Sequence, residues 1–219
     1  MAPKLLIFDF DGTLVNSEPG ILEAIRHTVT ALDLPPEAVE SWREMIGIPL
    51  ERQLSVLLPQ HAQHRIPEGV EIYRRYYEDI RPQHSEPFPG ILELLASLAG
   101  RIPLAIASSK QRESILPVLD QWGYRDLFEP IVSPAEVIHP KPHPDSVERI
   151  LAYYNLAPAY TVLIGDTEYD MEMARRAGVG AWGVGWGIHP LERLYRAGAE
   201  RGFQDVQALH QALTELMVA

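Results

Sequence analysis

The sequence predicts an α/β protein: a doubly wound parallel sheet, interrupted early by a helical insertion. Three observations carry this. From about residue 89 onward, short apolar runs alternate with stretches of helical periodicity, the pattern of parallel strands joined by crossover helices. One more apolar run, Leu5-Leu6-Ile7-Phe8, stands near the start of the chain. Between it and the next strand lie roughly 70 residues of purely helical pattern. The first strand must therefore join strands encoded far downstream.

Taken in order, residues 4–10 read as a strand. From Pro19 the period changes: Ile21, Leu22, Ile25, Thr28, Val29 and Leu32 fall at helical spacing until Pro35-Pro36. Val39, Trp42, Met45 and Ile46 predict a second helix, stopped near Gly47-Ile48-Pro49. Leu50 to Leu58 predicts a third, and Val70, Tyr73, Tyr76, Tyr77 and Ile80 a fourth, its aromatic stripe expected in a core. Beyond Pro89, helices are expected over 91–99, 111–122, 144–154, 169–177 and 206–216, and strands over 102–107, 128–133, 161–164 and 181–184. The expected division is a core of residues 1–15 and 86–219 and a helical unit of residues 16–85. No internal repeat or low-complexity tract interrupts it.

At 219 residues the chain is long enough for a full core. Its formal charge of −11 argues against nucleic acid or an anionic membrane surface as partner, since phosphate backbones reward clustered Lys and Arg. No stretch approaches the roughly 20 apolar residues of a membrane span. Residues 1–4 and the run behind them lack a signal peptide's length and cleavage pattern. With no cysteine there is no disulfide, thiol nucleophile or thiolate metal site, and a cytoplasmic setting is permitted. A monomer or small homo-oligomer is expected.

Four motifs sit at predicted strand ends, where open α/β sheets bind ligands. The first is Asp9-Phe10-Asp11-Gly12-Thr13. A strand's period of two starts Asp9 and Asp11 on one face, where two carboxylates repel unless a cation or shared proton lies between them. The second is Ser108-Ser109-Lys110 ahead of a helix, either a cradle for phosphate oxygens or a plain N-cap. The third is Lys141, stiffened by Pro140, Pro142 and Pro144, with His139 and His143 expected in solvent or loop hydrogen bonds. The fourth is Gly165-Asp166 with Asp170 one helical turn on, hard oxygen donors that suit Mg²⁺. His61 and His64 read as a polar helix end. Trp182, Trp186 and His189 either pack or border the site. Of only three lysines, Lys110 and Lys141 lie beside these motifs.

In this order the four motifs resemble those of the haloacid dehalogenase superfamily of phosphatases. Gly47-Ile48-Pro49-Leu50, Phe88-Pro89-Gly90, Ala174-Arg-Arg-Ala-Gly178, Gly185-Trp-Gly-Ile-His-Pro190 and Ala197-Gly-Ala199 look most like its phosphoglycolate phosphatase group. The chain departs at Asn16, where the family often has Asp, and at Glu200-Arg201. The resemblance implies a Rossmann-like core with an inserted α-helical cap, and hydrolysis of a small phosphate ester such as 2-phosphoglycolate. It implies that Asp9 attacks phosphorus to form an aspartyl phosphate and that Asp11 donates, then accepts, a proton.

Carboxylate and dianion repel by about 4 kcal/mol per charge pair at 4 Å and an effective dielectric of 20. Mg²⁺ held by Asp9, the Asp11 main-chain carbonyl and Asp166 would offset this, with Asp170 orienting a metal water. Ser108, Ser109 and Lys141 would hold the phosphoryl oxygens. Neighbouring anions are expected around Asp11, and Glu18, Arg43 and Arg52 on the cap's substrate face. Rival readings are an inorganic pyrophosphatase, a sugar-phosphate mutase and a non-catalytic binding module. Mutases of this scaffold carry a His where Ile21 aligns and an Arg near Leu50. A dehalogenase would lack the acid at Asp11.

Overall fold

The computed structural model describes residues 2–218; Met1 and Ala219 lie outside the described residues. Six strands form one parallel sheet: β1 (Leu5–Phe8), β2 (Leu104–Ala107), β3 (Phe128–Val132), β4 (Thr161–Gly165), β5 (Gly180–Val184) and β6 (Arg201–Phe203). Their spatial order is β3-β2-β1-β4-β5-β6, a doubly wound arrangement. The α-helices are α1 (Glu18–Ala31), α2 (Ala38–Arg43), α3 (Leu50–Leu57), α4 (Ile66–Ile80), α5 (Ile91–Leu98), α6 (Arg112–Trp122), α7 (Asp145–Tyr154), α8 (Glu168–Ala177), α9 (Leu191–Ala197) and α10 (Val206–Val218).

Every residue of β1, β2 and β4 is buried, because both faces of the sheet are covered. The period of two divides them between two cores. Leu6, Phe8, Ile106 and Ile164 pack with α5, α6 and α10, and Leu5, Ile7, Ala105 and Leu163 with α7, α8 and α9. Helices α1 to α4 gather round a third core that includes Ile25, Trp42, Leu54 and Tyr77. There the Trp42 indole N–H donates to Gln53 Oε1 at 2.6 Å, and the Gln53 amide donates to Ile48 O at 2.6 Å, so the polar atoms of a buried pair satisfy each other and the backbone. The two passages of chain between this unit and the sheet run side by side. Asn16 N–H donates to Glu86 O at 2.9 Å and Phe88 N–H to Leu14 O at 3.1 Å.

Three expectations needed correction. The first strand stops at Phe8 instead of residue 10, because the chain turns where Leu14 and Val15 N–H both donate to Phe10 O. The second helix ends at Arg43, before Met45 and Ile46. Helix α9 and strand β6 were not anticipated: one has seven residues and the other is Arg-Gly-Phe, both too short to show a period. Among the described residues no helix is long and apolar enough to cross a membrane.

Leu163 is fully buried in β4. Leu163→Ala is expected to cost about 2–5 kcal/mol of unfolding free energy, read as a lower urea midpoint with unchanged slope.

Candidate active site

Strand order reverses at β1, with β2 on one side and β4 on the other, and the site lies beyond the carboxyl ends of these three strands. Asp9 follows β1, Ser108 follows β2 and Asp166 follows β4. Asp170 stands in the first turn of α8, and Lys141 in the loop before α7. Asp9 N–H donates to Ile164 O at 2.9 Å, so the neighbouring strand fixes where Asp9 leaves the sheet. The chain then turns through Gly12 at φ +79°, where a Cβ would lie 2.2 Å from Asp166 Oδ2. Glycine is required there both for its backbone and for the approach of that carboxylate.

Asp9, Asp166 and Asp170 are buried, with carboxylate oxygens within 4.8 Å of one another. Lys141, also buried, places Nζ 2.7 Å from Asp9 Oδ1, at an angle that makes an ion pair but no hydrogen bond. The same ammonium donates to Asp170 Oδ1 at 2.6 Å. Asp170 Oδ2 accepts from the Thr167 N–H at 3.0 Å and its hydroxyl at 2.6 Å, a capping box at the start of α8. Asp166 accepts from the Thr13 hydroxyl and the Ile188 N–H, each at 2.8 Å.

The electrostatics follow from this crowding. Burial pushes the Asp9 carboxyl up to about 7, opposed by Lys141 and reinforced by Asp170. Burial, then the charges of Asp9 and Asp170, raise Asp166 well above the carboxylate range. Burial alone would lower the Lys141 ammonium; the charges of Asp170 and Asp9 outweigh it and raise it above the ordinary lysine value. Ionised, three carboxylates against one ammonium leave two negative charges. That excess, the hard oxygen donors and an Asp9 Oδ1 without a hydrogen bond fit a divalent cation.

Asp11 stands apart from this cluster. It was expected among anions, but the Lys110 ammonium lies 3.1 and 3.2 Å from its two carboxylate oxygens. Lys110 also donates to Tyr77 Oη on α4 at 2.9 Å and sits 4.3 Å from that ring's centroid. Burial works against its charge, but Asp11 and Tyr77 overcome this and raise it. Lys110 is the site residue that sequence reasoning passed over; its signal was the scarcity of lysine. Ser108 faces the cavity and its Oγ accepts from the Lys110 N–H at 3.2 Å. The Ser109 hydroxyl donates to Gly47 O at 2.8 Å, so in this structure it joins the sheet to the helical unit. Arg193 on α9 makes another such link, bonding Glu44 of the helical unit and Glu168 at 2.6 Å.

Between sheet and helices lies a cavity of about 330 Å³ lined by Asp9, Asp11 and Ser108 on one side and Ile21, Ile46, Ile48, Leu50 and Tyr73 on the other. Glu18, Arg43 and Arg52 are not among its lining residues. Glu18 and Arg43 pair with each other at 2.8 Å and Arg52 is exposed, so their expectation as substrate-facing groups is overturned. His139 and His143, in the loop before α7, both pair with Asp145 at the start of that helix. Trp182 packs on Phe203, and the Trp186 N–H donates to Thr13 O at 3.1 Å. His189 Nδ1 accepts from the Glu168 N–H at 3.0 Å, its ring held towards the neutral form by burial. His61 lies in a short 3₁₀ turn with His64, and among the described residues no third ligand joins them.

Two outcomes follow from this geometry. Gly12→Ala is expected to lower the melting temperature and to abolish activity, since its methyl must displace Asp166. Asp9→Asn removes one of the crowded charges. In chelator it is expected to melt about 2–4 °C above the wild type, the shift that roughly 1 kcal/mol gives at this size.

Comparison with known proteins identifies the family. The family model for haloacid dehalogenase-like hydrolases matches residues 6–184. A protein named Probable phosphatase IndB from Dickeya dadantii is 36% identical over 88% of the chain and 86% of its own length. A phosphoglycolate phosphatase from Escherichia coli is 27% identical over 97% and 90%. Among solved structures, a haloacid dehalogenase-like hydrolase from Streptococcus pneumoniae superposes with a TM-score of 0.82 at 28% identity, covering 96% of this chain and 98% of that one. With its motifs gathered at one sheet edge and the family pattern spanning most of its length, the chain belongs to the haloacid dehalogenase-like hydrolase family and is a phosphatase.

Proposed function

We propose that the chain is a Mg²⁺-dependent phosphomonoester hydrolase that works through an aspartyl phosphate on Asp9. One observation carries the reading: Asp9 faces the cavity beside Ser108, with the buried Lys141 ammonium 2.7 Å away and the Asp166 and Asp170 carboxylates close by. Asp9, the Asp11 main-chain carbonyl and Asp166 would hold the cation. When bound, Mg²⁺ offsets the repulsion between Asp9 and an incoming phosphate and stabilises charge on the phosphoryl oxygens.

The chain's own groups then divide the work. Asp9 forms the new oxygen–phosphorus bond as the ester oxygen leaves with a proton from Asp11. In the second half Asp11 takes a proton from water as it attacks the phosphorus of the aspartyl phosphate, freeing Asp9 and inorganic phosphate. Ser108 and Lys141 hold the transferring oxygens, and Asp170 holds Lys141 in place. Ser109, which lines the same pocket, can turn its hydroxyl from Gly47 to the phosphate. Lys110 fixes where the Asp11 carboxylate points.

The helical unit of residues 16–85 serves as a cap that closes over the site and excludes water. Contacts of Tyr77, Gly47 and Glu44 with the sheet side support this. The substrate is a small phosphate ester. 2-Phosphoglycolate, after which several relatives are named, is the reference compound to assay.

With saturating Mg²⁺ the protein is expected to hydrolyse p-nitrophenyl phosphate, and excess chelator to stop it. Asp9→Asn is expected to lower turnover by roughly 10³-fold or more while the circular dichroism spectrum stays unchanged. Near-normal hydrolysis by that variant would overturn the nucleophile assignment; full activity in chelator would overturn the metal.

A further inference from the structure

We infer that the ester taken by this site carries an uncharged organic part with an apolar face. The inference rests on the phosphatase reading and narrows its substrate class. With Asp9, Asp11 and Ser108 receiving the phosphate, the organic part must extend towards the cap side of the cavity. That side presents Ile21, Ile46, Ile48, Leu50 and the ring of Tyr73. Tyr73 lies nearly parallel to Tyr77, 6° apart in plane with centroids at 5.9 Å, and extends the wall as a flat surface.

The charged groups at the cavity point the same way. Arg74 lines it but donates to Glu51 at 2.7 Å. Lys110 lines it but is held by Asp11 and Tyr77. The other charged lining residues beyond the floor, Glu51, Glu78 and Glu113, are acidic. A carboxylate on the organic part would leave water without a cation to receive it and would face these acids, which is unfavourable. An apolar face would cover the isoleucine and leucine side chains instead. A cavity of about 330 Å³ is also in the range that holds ligands larger than a two-carbon acid ester.

The test compares three esters that all release a primary alkoxide: benzyl phosphate, glycerol 3-phosphate and 2-phosphoglycolate. The wild-type protein is assayed with saturating Mg²⁺ by phosphate release. Benzyl phosphate is expected to show a kcat/KM at least about tenfold above each of the others. Leu50→Lys, which adds a cation to the wall, is expected to move the ratio of benzyl phosphate to 2-phosphoglycolate at least about tenfold towards the latter. If 2-phosphoglycolate equals or exceeds benzyl phosphate in the wild type, the inference is overturned and the phosphatase reading stands. Equal rates for glycerol 3-phosphate and benzyl phosphate overturn the apolar requirement. No hydrolysis of the three esters while p-nitrophenyl phosphate is cleaved overturns this inference alone; no hydrolysis of p-nitrophenyl phosphate either overturns the proposed reaction and this inference with it. Should Leu50→Lys fail to fold, the wild-type panel decides alone.

Discussion

Asp9, Asp166 and Asp170 are drawn together out of bulk water at the end of the sheet, and the Lys141 ammonium lies against two of them. Burying an ion costs several kcal/mol even after the protein relaxes, and like charges in contact add to that. A fold of marginal stability tolerates the arrangement because each group has a fixed answer. Asp170 has the Thr167 cap and Lys141, and Asp166 has Thr13 and the Ile188 N–H. Asp9 Oδ1 has the ion pair with Lys141 but no hydrogen bond, which leaves Asp9 the least satisfied of the three. The same crowding that raises the Asp9 and Asp166 carboxyls makes the crevice receptive to a cation.

The backbone is built around that requirement. Three parallel strands end together, so residues more than 150 positions apart meet, and the glycine at position 12 lets the first loop pass against Asp166. The fixed ladder between β1 and β4 matters more than any one side chain, since a slip of one residue would turn Asp9 or Asp166 to the opposite face. Above the sheet, the helical unit reaches the site through Tyr77 and Gly47. Lys110 therefore touches both the loop that carries Asp11 and the helix that carries Tyr77, and any movement of that helix is felt at Asp11.

Much of this was legible in the chain. Short apolar runs ending in Asp9, Ser108 and Asp166 marked strand ends because both faces of such a sheet are buried and its termini are not. The partners of those residues were hidden. Lys110 reads as an ordinary basic residue at a helix start, and nothing local says that its ammonium is enclosed by Asp11 and Tyr77. Glu18 and Arg43 looked available because helical spacing gives exposure, while their pairing depends on how α1 and α2 pack. Helix α9, which carries Arg193, was too short to announce itself.

Apolar periodicity and carboxylate spacing thus determined the α/β class, the early helical insertion and the residues standing at strand ends, because these follow from dihedral geometry and burial within one segment. The three-dimensional fold decided which charges meet. Lys141 faces Asp9 and Asp170, Lys110 faces Asp11, and the wall over them is apolar, since such pairings arise between segments whose separation in the chain carries no record of their distance in space.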